Sequence, residues 1–259
     1  MLLSRIFEKL QNLSSNDFAT TWDLTRVEIH FTKLNSDFLV KRALLSPEIS
    51  FASVLEAKQL NANLIITPAS LFQSEMHSLE YHQVDIWRLL LSQRICCIHL
   101  GSEWINSNNG FSMALLNILG LNAVDLFMIS DLNSNQRIPV GRIASFTHPF
   151  QGDFSDFVTS HVPQASVLNS QDCVSSITNV AVIPIQNIPS SVIYQALDCG
   201  CEALIGGEYS PNAIQAAEAS GLNLYSIPLQ ETAQIGLTSL TRLLAVEYPN
   251  EEFSYFTPS

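Results

Sequence analysis

Between Ala62 and Phe72 the chain reads Ala-Asn-Leu-Ile-Ile-Thr-Pro-Ala-Ser-Leu-Phe, an apolar run cut off at Thr67-Pro68. A run that is continuous rather than alternating, and bounded by breakers, marks a short strand buried on both faces, as in a parallel sheet covered by helices. Proline after Thr67 cannot donate to a ladder, so the backbone leaves the sheet there. Such a strand commits the chain to an α/β architecture. The loop that begins at Pro68 lies at a strand's carboxyl end, the edge where open α/β sheets hold ligands and catalytic groups. Yet Pro68, Ala69 and Ser70 carry almost no chemistry.

The elements around this strand follow from periodicity. Leu3, Ile6, Phe7 and Leu10 share one helical face within residues 2–13, and Val27, Ile29 and Phe31 share one side of a strand that leaves His30 on the polar side. Ser46-Pro47-Glu48 has the form of a helix start, with Val54, Leu55, Ala57 and Leu60 continuing at helical spacing. A second helix over 79–93 leads to the strand Ile95–Leu100, then to residues 101–110, whose Gly, Ser and Asn content predicts a loop. Phe111–Leu119 is expected as a helix closed by Gly120, and 123–129 and 137–146 as strands around a polar turn at 130–136.

From Asn179 the pattern returns. Ala57 set on Ala196 places Leu64-Ile65-Ile66-Thr67 on Ala203-Leu204-Ile205-Gly206 without a gap, and Leu222–Ile227 then matches the strand 95–100. The fold expected is therefore α/β with two similar lobes from an internal duplication, 1–130 and 131–259, facing a central cleft, with the C-terminal segment free to pack back on the first lobe. Loops at 67–72, 101–110, 206–211 and 228–236 would line that cleft.

Composition narrows the functional classes. Charged residues are only 14% beside 47% hydrophobic, so much surface must be covered by neutral polar side chains or by other subunits, and a homo-oligomer is expected. The net charge of −12, with no dense Lys/Arg patch, argues against direct nucleic-acid binding. Cys96, Cys97, Cys173, Cys199 and Cys201 show no C-x-x-C spacing, and the charged N-terminal residues suit an amphipathic helix rather than a signal sequence. No stretch is long enough to span a membrane, so a reduced cytoplasmic setting is expected.

No P-loop, nucleophile elbow, G-x-G-x-x-G or metal-ligand cluster occurs. Gly206-Gly207-Glu208 holds the one glycine doublet, suited to a tight strand-to-helix turn more than to a ligand cradle. The candidate catalytic groups are His99 and Glu103, four residues apart, and Glu231 in the corresponding late segment. Each competes with a plainer role, His99 as a strand residue that satisfies a core hydrogen bond and the acids as solvated surface.

The motifs together resemble the Nif-three-like dinuclear metal-centre family, also known as GTP cyclohydrolase 1 type 2 homologues, over nearly the whole chain. Trp22-Asp23 is similar to that family's early Trp-Asp, and Leu64–Phe72 to its apolar strand followed by Thr-His-His-Pro. Asn109-Gly110 with Leu119-Gly-Leu121 matches its Gly-Gly, helix and Leu-Gly-Leu, Val140-Gly141-Arg142 its Gly-Arg turn, and Ala203–Glu208 its strand and Thr-Gly-Asp/Glu. The resemblance implies two divalent metal ions, a two-lobed fold and a ring-shaped, hexameric oligomer.

The ligands that the resemblance implies are where this chain departs from the family. The His-His pair falls on Pro68 and Ala69, the His-x-x-x-Asp motif on Gly101 and Ile105, and the late His-x-x-x-Glu motif on Leu229 and Ala233. None offers a coordinating side chain. Transition-metal sites need three or more His, Cys, Asp or Glu donors, so no metal cofactor is expected; a two-residue bulge would present only His99 and Glu103. Two functions follow: an oligomeric binding or scaffold protein with a degenerate metal site and an unidentified protein partner, or a metal-free hydrolase of a nucleotide-like molecule using Glu103, Glu231 or His99. The first makes the protein a pseudoenzyme rather than a metal-dependent hydrolase.

Overall fold

A computed structural model describes residues 1–14, 28–30, 38–69, 81–130, 137–170 and 176–257. Trp22-Asp23, residues 70–80, the expected turn at 131–136 and Cys173 lie outside them. The first compact unit comprises residues 1–110 and 236–259, and the second comprises 111–235.

In the first unit α1 (Leu3–Ser14) buries Leu3, Ile6, Phe7 and Leu10, the face expected from their spacing. There follow β1 (Glu28–His30), β2 (Arg42–Leu45), α2 (Phe51–Gln59), β3 (Leu64–Thr67), α3 (Tyr81–Gln93), β4 (Cys96–His99) and α4 (Gly101–Asn106). The second unit opens with α5 (Phe111–Ile118), β5 (Asn122–Ser130) and β6 (Arg137–Phe150). It continues with α6 (Phe154–His161), β7 (Ser166–Asn169), β8 (Ile177–Ile183), α7 (Ser190–Asp198), β9 (Ala203–Gly206), α8 (Pro211–Ser220) and β10 (Asn223–Ser226). Helix α9 (Leu229–Glu247) starts in the second unit and ends in the first, where β11 (Glu252–Tyr255) joins the sheet.

The first sheet has the order β1-β4-β3-β2-β11 and the second β5-β6-β8-β9-β10-β7. Strands β2, β3 and β4 are mutually parallel, as are β8, β9 and β10, and each triplet is flanked on its third strand by an antiparallel partner, β1 or β7. The repeated unit is thus helix, flanking strand, then β-α-β-α-β, then helix. That is longer than the helix–strand–helix–strand match visible in the sequence. Both α2 and α7 have nine residues and both β3 and β9 four, in the ungapped register that Ala57 and Ala196 set.

The hydrogen bonds repeat with the elements. Ala62 N–H donates to Ala57 O at 2.8 Å and Cys201 N–H to Ala196 O at 2.9 Å, while Leu100 N–H reaches Thr67 O and Ile227 N–H reaches Gly206 O, both at 2.8 Å. The helix-to-strand turn takes a left-handed residue in each half, Asn61 (φ 54°) and Gly200 (φ 71°), the residue types that tolerate that region best.

Burial follows from the apolar runs. All four residues of β3, of β4 and of β9 are buried. One face of the first sheet packs Leu44, Ile65 and Cys97 against Val54 and Ala57 of α2 and Leu90 of α3. The second sheet is covered on both faces. Ala181, Ile183 and Leu204 meet α7 and α8, whereas Val180, Val182 and Ile205 meet Leu115 and Leu116 of α5 and Phe154 of α6.

Two expectations are corrected. Helix α2 starts at Phe51, because Ser50 and Ser53 form a reciprocal capping box, and Ser46-Pro47-Glu48 stays outside it. Segments 101–110 and 228–236, expected as loops, hold α4 and the first turns of α9. The compact units change after Gly110 and Ile235, and β5 and β6, a hairpin paired from Asn122↔Ser145 to Ser130↔Arg137, both fall in the second.

Candidate functional site at two strand edges

The carboxyl edge of the first sheet gathers Thr67, Pro68, Ala69, His99 and Gly101. Register sets Thr67 beside His99 in the parallel β3–β4 pair. Thr67 is buried, and its Oγ1 donates to Pro47 O at 3.3 Å while accepting the Ala69 N–H at 3.1 Å. His99, 5% exposed, lies with Nε2 at 3.0 Å from Pro68 O. A carbonyl only accepts, so Nε2 carries the proton, and Nδ1, buried and without a partner among the described residues, presents a bare lone pair to them.

Burial pushes the His99 imidazole below its ordinary 6.5, against the Pro68 hydrogen bond and the Glu28 carboxylate, which favour the charged form. The antiparallel β1 places Glu28 opposite His99 and His30 opposite Cys97. His30 Nε2 lies 3.7 Å from Glu28 Oε2, and burial lowers this imidazole too. Sequence reading had no means of finding Glu28, because a flanking strand 66 or more residues from β4 in the chain carries no local signal of its partner.

Beyond His99, Gly101 takes φ +60° to turn β4 into α4, a geometry that a side chain would strain. Glu103 and Ile105 lie on α4, with side chains outside the described residues. Trp104 of the same turn is fully buried.

At the carboxyl edge of the second sheet, the glycine doublet is explained by close packing. A Cβ at Gly206 would stand 2.5 Å from both Ile188 Cδ1 and the Tyr209 hydroxyl, and one at Gly207 2.4 Å from Ile185 O and 2.7 Å from Leu229 Cδ2. Leu229, at a ligand position implied by the resemblance, thus packs on bare backbone. Ser226 Oγ donates to Gly207 O at 2.6 Å. Tyr209 O–H donates to Tyr225 O at 3.0 Å from a site whose burial pushes its pKa well up.

Glu231 sits in the first turn of α9, half-buried, where a carboxylate is stabilised by the amino end of the helix dipole. That is a sufficient structural reason for an acid here. Ala233, one turn beyond Leu229, is buried.

Among the described residues no three His, Cys, Asp or Glu side chains stand close enough to hold a metal ion. Pro68, Ala69, Gly101, Leu229 and Ala233 supply turn geometry and packing, and so do not fit the two divalent ions that the resemblance implies. A cavity of about 610 Å³ lies at the opposite end of the first sheet, between Arg42, Leu60, Glu252 and Phe253. Arg42 is already held there by Glu252, with Nε–Oε2 at 2.7 Å. That cavity shares no residue with the carboxyl edge.

The fold and its two carboxyl-edge turns define an α/β protein built from two similar halves. The chain belongs to the Duf34/NIF3 (NGG1p interacting factor 3) family, whose model matches residues 1–257. Solved structures share the fold. Reduced HcgD from Methanocaldococcus jannaschii matches with TM-score 0.77 and 17% identity over 98% of this chain and 97% of its own. Staphylococcus aureus protein SA1388 gives 0.76 and 18% over 100% and 97%, and a Bacillus cereus protein related to NIF3 gives 0.77 and 13% over 98% and 96%. No curated protein matches the chain.

Proposed function

We propose that this chain is a NIF3-family protein with a degenerate metal site, a pseudoenzyme acting as an oligomeric cytoplasmic binding or scaffold protein for a protein partner or small ligand. The observation that carries the reading is the set of residues at the implied ligand positions: Pro68, Ala69, Gly101, Ile105, Leu229 and Ala233. Two close cations need bridging carboxylates to offset their repulsion, and Ile105 and Ala233 stand where those acids would be. Packing of Leu229 on Gly207 supports the same reading, since an ion there would shed water without gaining a donor.

Elemental analysis after chelator-free purification tests it. The expected result is no stoichiometric zinc, iron or manganese. About one ion or more per chain, lost in Glu103→Ala or His99→Ala, would instead establish the bulged register.

A second reading, a metal-free hydrolase of a nucleotide-like molecule, is favoured by the bare Nδ1 of a neutral His99, the form a general base requires. Turnover of a nucleotide substrate that falls at least about a hundredfold in His99→Gln would establish it over the first.

A further inference from the structure

The two halves share a bond that their sequences conceal. At the end of each middle strand the chain turns out of the ladder. The carbonyl of the last strand residue, Thr67 or Gly206, is taken by the next strand's outgoing backbone, Leu100 N–H or Ile227 N–H. The carbonyl one residue further, on Pro68 or Gly207, accepts from a side chain instead: His99 Nε2–H in the first half and Ser226 Oγ–H in the second.

The donors are equivalent by register, His99 pairing with Thr67 and Ser226 with Gly206, each as the last residue of the third parallel strand. An imidazole and a hydroxyl of different size and reach thus perform one task. A partly buried carbonyl that has left the ladder at a strand exit needs a donor.

We infer that His99 and Ser226 are matched latches which hold the two carboxyl-edge turns, 67–69 and 206–208, in place without a metal ion. This rests on the degenerate-site reading in its last clause only. In the first half the latched residue is Pro68, where the resemblance implies a coordinating histidine, so a hydrogen bond stands where coordination would have fixed the turn. The latch also dictates the His99 tautomer, which makes His99 a positioning residue whose Nδ1 is left to accept from a water or a ligand donor.

Hydrogen exchange on the full chain, with ring-nitrogen NMR of His99, tests this. The His99 proton is expected on Nε2. Ser226→Ala is expected to speed exchange at Glu208 and Ile227 by about fivefold, the effect of one lost neutral hydrogen bond, with Ala69 and Leu100 unchanged and Ser226→Thr restoring protection. His99→Val should do the converse in the first half, with His99→Gln restoring it.

A proton on Nδ1, or Ser226→Ala exchange that is unchanged or raised equally in both halves, would overturn the latches. If His99→Val does not fold, the Ser226 pair and the tautomer decide. Exchange at Thr67 and Ala69 accelerated by chelator alone would overturn the metal-free clause and the degenerate-site reading together, while the variant results would still judge the latches.

Discussion

At the scale of residues, His99 is the most informative side chain, and its charge state has a measurable consequence. Burial holds its folded pKa below 6.5, so between the two values the unfolded chain binds the proton that the folded chain refuses. Stability is therefore complete above about pH 6.5 and falls as pH drops through that window. His30, lowered in the same direction, adds to the slope. Urea midpoints taken from pH 7 downward are expected to decline, and to decline less steeply in His99→Gln, which keeps the latch donor and removes the titration. Equal slopes would place the acid sensitivity elsewhere. Sequence reading singled out His99 and allowed that it satisfies a core hydrogen bond, which the Pro68 contact is. Ser226 passed unnoticed, because a serine in a serine-rich chain has no pattern until register sets it beside Gly206.

At the scale of elements, the run that opened the reading is the centre of the first sheet. Leu64 pairs with Ala43 on one side and Cys96 on the other, and is fully buried. An aspartate there must be desolvated as a carboxylate or protonated at a raised pKa, so Leu64→Asp is expected to cost several kcal/mol, roughly 3–5 with the lost leucine packing. A denaturation midpoint close to wild type would show that β3 is not central. Such strands were legible because a buried parallel strand is continuous and apolar, and because its copy recurs without a gap at 203–206. Helix α4 was not, since six residues give no period and Gly, Ser and Asn dominate the segment. The start of α9 did carry a signal, Glu231 in the first turn, but Pro228 and Gly236 drew the segment toward a loop. At the carboxyl edges the sequence showed Pro68, Ala69, Gly101, Leu229 and Ala233 but not the hydrogen bonds of His99 and Ser226 beside them, which depend on strand register.

At the scale of the whole molecule, duplication means that one packing scheme serves twice in the chain. Each half repeats the same eight-element order and the same backbone bonds at its edge turns, so packing and register are repeated with the elements. What the composition leaves over is surface. Only 14% of residues are charged, and Tyr81 (87% exposed), Val246 (84%), Val124 (64%) and Tyr194 (56%) present large apolar side chains to solvent. An excess of this kind is usually covered in a symmetric assembly. Association must act against a net charge of −12 per chain, a repulsion that salt screens over about 8–10 Å at ordinary ionic strength. Light scattering at micromolar concentration is therefore expected to give a mass that is a multiple of 28.7 kDa, a hexamer if the ring implied by the family holds, and the assembly should tighten rather than loosen as salt is raised. A monomer at every salt concentration would remove the scaffold role, since a ring cannot be kept for assembly if it does not form. Dissociation by salt would place ion pairs, not the apolar surface, at the interface.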